Sequence, residues 1–258
     1  MGSASREALT QARTALRAGL DQAAGGELLQ AAGRIAESPA LAASLGDASA
    51  PVEAKARLVE RLFGGLSADA RSVLAAAVQA RWSNVDEFVA GVEELGLRAE
   101  GVANPALFDE LLAVADLVDR NHELQLSLGS KLAEPAGKVA LVQRLLSGKT
   151  SASAVAVVSH FVANPRGRRL DATLRQAART AADQVGSELA TVTVAAPLSA
   201  EQQDRLARAL EQSAGRPVKI TTVVDPGLVG GVRIQLADDV IDGSVRARLD
   251  DLRQRLAA

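Results

Sequence analysis

The sequence predicts an α+β protein that is mostly α: a duplicated N-terminal helical bundle followed by a small C-terminal α/β domain. Three observations predict it. From residue 4 to about 188, apolar residues recur at three- and four-residue steps, the period of helices with one buried stripe. The text of residues 38–65 returns 83 positions later at 121–148, with eleven of 28 pairs identical. Near residue 188 the helical period gives way to strict alternation, the period of strands. The expected divisions are residues 1–103, a first helical bundle; 104–188, a second helical repeat; and 189–258, the α/β domain.

The elements follow in order. Residues 5–22 put Leu9, Ala12, Leu16 and Leu20 on one helix face. Residues 27–45 continue through Leu28, Ala32, Ile35 and Ala36, and Pro39 marks a break or a new first turn. Pro51 opens a helix with Leu58, Val59 and Leu62 inward, and Gly64-Gly65 closes it. Ser67 is an N-cap for the helix carrying Val73, Leu74, Ala77 and Val78. Asn84 with Glu87 reads as a capping box before Phe88, Val92 and Leu95. Asn104-Pro105 starts a helix with Leu107, Leu111, Val114 and Val118. After residue 188, Leu189 to Ala196 forms a strand in which Val192 and Val194 alternate with threonines. Ser199 with Gln202 caps a helix holding Leu206 and Leu210. Val218, Ile220, Thr222 and Val224 alternate as a second strand, and Asp225-Pro226-Gly227 turns it. Residues 231–236 form a third strand, and Asp242-Gly243-Ser244 turns into a final helix bearing Val245, Leu249, Leu252 and Leu256. Ser244→Ala is expected to cost about 1 kcal/mol as a lost cap.

The repeat shares Ser-Leu-Gly at 44–46 and 127–129, and Lys-x-x-Leu-Val-x-Arg-Leu at 55–62 and 138–145. A fixed register across both motifs points to duplication. Each copy is too small to hide its apolar faces well alone, so the two are expected to pack together.

Composition then removes function classes. With no cysteine among 258 residues, disulfides, thiolate zinc sites, iron–sulfur clusters and cysteine nucleophiles are excluded. Two histidines, His122 and His160, exclude a multi-histidine metal site, and no cofactor is expected. A net charge of −2, no tyrosine and one tryptophan argue against nucleic-acid binding. No run approaches the roughly 18 apolar residues of a membrane span, so no direct membrane insertion is expected. The N-terminal text has no apolar core of a signal peptide, which points to the cytoplasmic side.

No catalytic constellation survives inspection. Ser147-Gly148-Lys149-Thr150 ends like a phosphate loop, but Gln143 stands where its glycine belongs and the preceding text is helical, so it reads as a helix end. His160 reads as a packed helical residue, and His122 as a cap at a helix break. Glu93-Glu94, Asp238-Asp239 and Asp250-Asp251 are neighbours in sequence and read as solvated faces. Arg166, Arg168 and Arg169 read as a local salt-bridged surface. What is left is an adaptor whose apolar grooves take a partner's amphipathic helix.

Residues 220–256 carry the most specific text: Asp225-Pro226, Gly230-Gly231, Val232, Ile234, then Val240-Ile241-Asp242-Gly243-Ser244 with Arg246, Arg248 and Leu249. This resembles the C-terminal pattern of the delta subunit of F-type ATP synthase, the oligomycin-sensitivity-conferring protein family. The helical text of 44–65 resembles that family's helical domain. Ordinary members have one such domain. The repeat, with Ala-Arg-Trp-Ser at 80–83 and Pro-Arg-Gly-Arg at 165–168, is similar to the extended actinobacterial form. No stalk helix precedes residue 1, so the resemblance implies the unfused version.

The resemblance implies a non-catalytic peripheral-stalk subunit of a proton-translocating ATP synthase, peripheral on the cytoplasmic face of the plasma membrane. Its partners would be N-terminal helices of alpha subunits, received by the helical domain, and the C-terminal helix of the b subunit, met by the C-terminal domain. The alpha contact is expected in the first copy near Leu9, Leu16 and Val78, and the b contact at Val232, Ile234, Ile241, Leu249 and Leu252. The competing readings are an unrelated helical-repeat scaffold, an RNA-associated protein using residues 166–175, and an enzyme. The scaffold leaves 220–256 unexplained.

Overall fold

The computed structural model describes residues 1–16, 20–130, 133–186, 188–236 and 239–245. The chain divides into two compact units, Met1–Gln184 and Val185–Ala258. The first unit is helical: α1 (Ser3–Arg13), α2 (Ala24–Glu37), α3 (Pro39–Gly46), α4 (Val52–Phe63), α5 (Ala68–Gln79), α6 (Val85–Ala103), α7 (Leu107–Arg120), α8 (His122–Gly129), α9 (Pro135–Leu146), α10 (Ala152–Ala163) and α11 (Leu170–Gln184).

The duplication is legible in these bounds. Helices α2, α3 and α4 recur as α7, α8 and α9, each boundary shifted by the same 83 residues. The capping chemistry recurs with them. Ser38 and Asn121 accept the Leu41 and Leu124 N–H groups at the starts of α3 and α8. Ser67 and Ser151 cap α5 and α10. The backbone N–H of each of those serines donates to a carboxylate from the first helix of its own copy, Ser67 to Glu27 of α2 and Ser151 to Glu110 of α7, both at 2.8 Å. Negative charge at a helix N-terminus is favourable, so one capping device has been used twice. Lys55 and Lys138, one per copy, are both buried.

Helix α6 belongs to both copies. It packs against α1, α2, α3 and α5, and also against α11 and α10. Twelve of its residues, from Phe88 to Gly101, are buried. A helix buried on every side has no solvent stripe, so its neighbours must come close. They come close at Gly91, where a Cβ would sit 2.0 Å from the Trp82 ring, and at Gly101, where it would sit 3.0 Å from the Ala181 Cα of α11.

The second unit consists of β1 (Glu188–Val194), α12 (Ala200–Ala214), β2 (Val218–Val224), β3 (Val232–Leu236) and β4 (Asp239–Asp242), with sheet order β2-β1-β3-β4. β1 and β2 are parallel, so α12 serves as their crossover. β3 pairs antiparallel with both β1 and β4. In this register Val192 stands between Thr222 and Ile234. The core is Ala190, Val192, Val194, Val218 and Ile234 from the sheet and Leu210 from α12. The Ser199/Gln202 capping box is formed, and Gly215 closes α12 in the left-handed region at φ 69°.

Several expectations are corrected. The first helix ends at Arg13 rather than near 22: N–H groups of Thr14, Ala15 and Leu16 bond three residues back, and the Thr14 hydroxyl donates to the Gln11 carbonyl, tightening the last turn. Leu20 still reaches the core. The Asn84/Glu87 box is half-formed. Asn84 accepts from the Glu87 N–H at 2.8 Å, but the Glu87 carboxylate accepts from the Gly2 N–H instead, at 3.0 and 3.1 Å. His122 does not cap its helix; Asn121 does. The first strand stops at Val194, and residues 239–242, of which only Asp242 has a place in the expected turn, are a fourth strand held by β3. The predicted final helix, with Leu249, Leu252 and Leu256, lies outside the described residues.

Candidate functional site

The polar residues of α6 form the densest chemistry in the helical unit. Glu93 was read from sequence as solvated; it is buried, because α6 is enclosed by both copies. Its carboxylate is met by His160 Nε2 at 2.9 Å, by Arg166, and by Arg168 Nη1 at 2.8 Å and Nη2 at 3.3 Å. Burial pushes its pKa up, but hydrogen bonds from His160 and Arg168 and the charges of both arginines outweigh burial and hold it at about 2. Four donor contacts occupy the roughly four lone-pair sites of a carboxylate, so Glu93 is spent as an acceptor and is unsuited to proton abstraction. Its work is to tie α6 to α10 and the α10–α11 turn. Arg166 takes φ 42° in that turn, an uncommon conformation for a side chain with a Cβ.

Two more charged groups on α6 are buried, Arg98 and Glu100. Arg98 bridges Glu94 and Asp183 of α11, each at 2.7 Å. Glu100 touches the N-termini of α2 and α10, accepting from the Gly26 N–H and the Ser153 hydroxyl, and burial raises its pKa. Its Oε2 has no hydrogen-bond partner. Charge patterning alone did not reveal these three. The signal that could have found them is Gly91, Gly96 and Gly101 inside one helix, since interior glycine costs about 1 kcal/mol against alanine and marks close packing.

The basic run is the salt-bridged surface expected: Arg166 and Arg168 hold Glu93, and Arg169 pairs with Asp171. Gly148, in the phosphate-loop look-alike, sits at φ 71° just after α9, as a helix end does. Among the described residues, no group of three or more histidines, aspartates and glutamates is placed to hold a metal, and no helix is long and apolar enough to cross a membrane.

The proposed contact residues fall into four groups. Leu9, Val78 and Ile234 are buried in their own cores. Leu16 and Val232 are half-buried against those cores. Ile241 is 49% exposed on β4, beside Val240 at 60%. Leu249 and Leu252 lie outside the described residues. Sequence reading missed Leu126 on α8, 59% exposed, and Val229 in the β2–β3 turn, 80% exposed. Among the described residues β4 pairs with β3 and stands at the edge of the sheet. Ser244, next to it, is buried, and its N–H donates to Asp242 at 3.0 Å.

Comparison with known proteins places this arrangement. Residues 105–256 match the family model for the ATP synthase delta (OSCP) subunit. The chain is 46% identical to ATP synthase subunit delta of Leifsonia xyli, over 100% of both chains. It is 36% identical to that of Streptomyces avermitilis, over 99% of this chain and 98% of the other. It is 35% identical to that of Nocardia farcinica, over 100% of both. Among solved structures, a chain of the Toxoplasma gondii mitochondrial ATP synthase hexamer aligns with a TM-score of 0.40 and 23% identity, over 60% of this chain and 87% of that chain.

Proposed function

This chain belongs to the ATP synthase delta (OSCP) subunit family, and from that premise we propose that it is a non-catalytic stator tie. It links the alpha/beta head to the b stalk and resists the torque of the rotor, at the cytoplasmic face of the plasma membrane. The observation that carries the reading is the full-length 46% identity to a delta subunit. The physical character of the chain supports it: the buried charges of α6 are committed to holding helices together, which suits a part that transmits force.

We place the b contact on the C-terminal unit, at the exposed strand residue Ile241 and at Val232, Leu249 and Leu252, with Ile234 supporting them from the core. Alpha N-terminal helices are assigned to the helical unit. In the first copy Leu16 is the candidate with exposed area, while Leu9 and Val78 lie in the core it packs against. The family model begins at residue 105, which makes the second copy a further candidate for the alpha contact. Such contacts must outlast many rotor cycles, which calls for large interfaces with slow dissociation.

The test is depletion and add-back. Membranes stripped of this subunit are expected to lose ATP-driven proton pumping while the released head still hydrolyses ATP, and the added chain restores pumping. Add-back that restores nothing, or restoration by Met1–Gln184 alone, would sink the reading. The alternative scaffold would bind neither alpha nor b.

A further inference from the structure

We propose that the second helical copy carries a slot for an aromatic side chain of a partner segment, with Asp or Glu beside the aromatic residue. The slot lies between α8 and the α10–α11 turn. The proposal goes beyond the stator reading and rests on it only for which protein brings the segment. The slot itself is tested on this chain alone.

The argument starts from two glycines in the same register of the repeat, Gly46 at the end of α3 and Gly129 at the end of α8. In the first copy, a Cβ on Gly46 would meet Phe88 at 3.2 Å and Val85 at 3.5 Å. Phe88 is fully buried and stands edge-on to Trp82, whose ring centroid is 6.0 Å away. The space beside α3 is thus plugged by the protein's own Phe88, delivered by the first turn of α6 and backed by Trp82 of the α5–α6 turn. In the second copy, a Cβ on Gly129 would meet nothing within 4 Å among the described residues. The α10–α11 turn has no aromatic residue; it reads Asn164-Pro165-Arg166-Gly167-Arg168-Arg169. Its arginines reach toward Glu93 and Asp171 instead of filling the space. A cavity of about 440 Å³ is left there, walled by Leu126, Leu128 and Gly129 of α8, by Phe161 and Val162 of α10, and by the turn. That volume lies in the range of pockets that take a ligand group.

The first copy shows which chemistry fits: the same framework is filled by an aromatic ring. Aromatic anchors in a preformed pocket are also the groups that carry interface energy. The mouth supplies the charge preference. Its charged lining groups are the guanidiniums of Arg168 and Arg169 and one carboxylate, Asp171; with Arg166 and the Glu93 carboxylate that Arg166 and Arg168 share, three cations face two carboxylates, a net charge of plus one. The Arg168 guanidinium lies 5.2 Å from the Phe161 ring centroid, so an entering ring would meet both a ring and a cation. Leu126, 59% exposed at the rim, is an apolar side chain that an occupant would cover.

The test uses the full chain with labelled leucine and valine methyl groups, titrated with three capped tripeptides: Asp-Trp-Asp, Asp-Ala-Asp and Lys-Trp-Lys. Asp-Trp-Asp is expected to shift the methyl resonances of Leu126, Leu128 and Val162 and to leave first-copy methyls unmoved. Asp-Ala-Asp should shift none of them, and Lys-Trp-Lys should bind about tenfold more weakly. Gly129→Phe fills the slot from within and should abolish the shifts. Leu126→Glu, on an exposed residue that the fold does not need, should weaken binding about tenfold or more and serves where the first variant fails to fold. Three results would overturn the proposal: no shifts at millimolar Asp-Trp-Asp, equal shifts with the alanine peptide, or shifts unchanged in both variants. Peptide-free shifts at the slot that grow with protein concentration would assign the face to self-association, and would overturn it too.

Discussion

Glu93 and Glu100 sit two turns apart on α6, and their surroundings push their pKa values in opposite directions. For Glu93 the donors win over burial, so the folded pKa, about 2, lies below the ordinary 4.5. Its contribution to stability is present above the unfolded value and is lost as pH falls from 4.5 toward about 2. Glu93→Gln is expected to cost about 2–3 kcal/mol, the low end for breaking a buried pair because both arginines are partly solvated. Urea denaturation across that acid range checks it, and the variant's acid-dependent slope should be shallower than the parent's, the remainder coming from carboxylates such as Glu87 and Asp242 whose pKa values are also lowered. For Glu100 burial wins, so the folded pKa is raised. Its protonated form contributes stability below the unfolded value, and that contribution is lost as pH rises through the folded pKa. Glu100→Gln keeps the shape without the charge. It should melt at a higher temperature than the parent above neutrality, with the difference shrinking in acid. Equal melting temperatures at every pH would contradict the assignment.

At the scale of elements, packing around glycine decides how α6 is enclosed. Trp82 donates its indole N–H to the Ala77 carbonyl at 2.7 Å and lays its ring over Gly91. Gly91→Ala is expected to force the α5–α6 turn outward at a cost of about 1–3 kcal/mol. The fluorescence of the chain's one tryptophan reports it directly. A red-shifted emission should accompany the lower stability, and an unshifted spectrum would show that the ring has kept its seat. In the other unit, β4 is a short strand at the edge of the described sheet, and Ile241 on it is exposed. Ile241→Asp should therefore leave folding intact while weakening capture of the last helix of the b stalk, measured by titration calorimetry.

For the whole helical unit, the decisive fact is that one helix serves two copies. A repeat joined by a linker could lose one copy and keep the other. A repeat that shares α6 cannot, because the faces of α6 that meet α10 and α11 would be bared. Deleting residues 104–188 is expected to give a chain that aggregates or unfolds without a sharp transition. Cooperative melting of that deletion would show that the first copy is self-sufficient. Among the described residues, Leu126 in the helical unit and Val229, Val240 and Ile241 in the C-terminal unit are apolar side chains that stay exposed, the kind of surface a partner would cover.

The sequence by itself determined what depends on neighbours a few residues away. Ser67, Asn84 and Ser199 are N-caps because a side-chain oxygen needs only the N–H three residues on. The duplication, the strand–helix–strand order and the family text of 220–256 were legible for the same reason: period, spacing and motif are local. The tertiary structure alone decided the rest. Whether Glu93 is a solvated acid or a buried tie depends on His160, 67 residues away, and on Arg168, 75 away. That residues 239–242 are a strand depends on β3 being there to receive their hydrogen bonds. That Gly46 is covered and Gly129 is open depends on which side chain the following helix turn brings back. Burial and pairing are properties of what returns to a residue through space, and a periodic pattern shows only that something must.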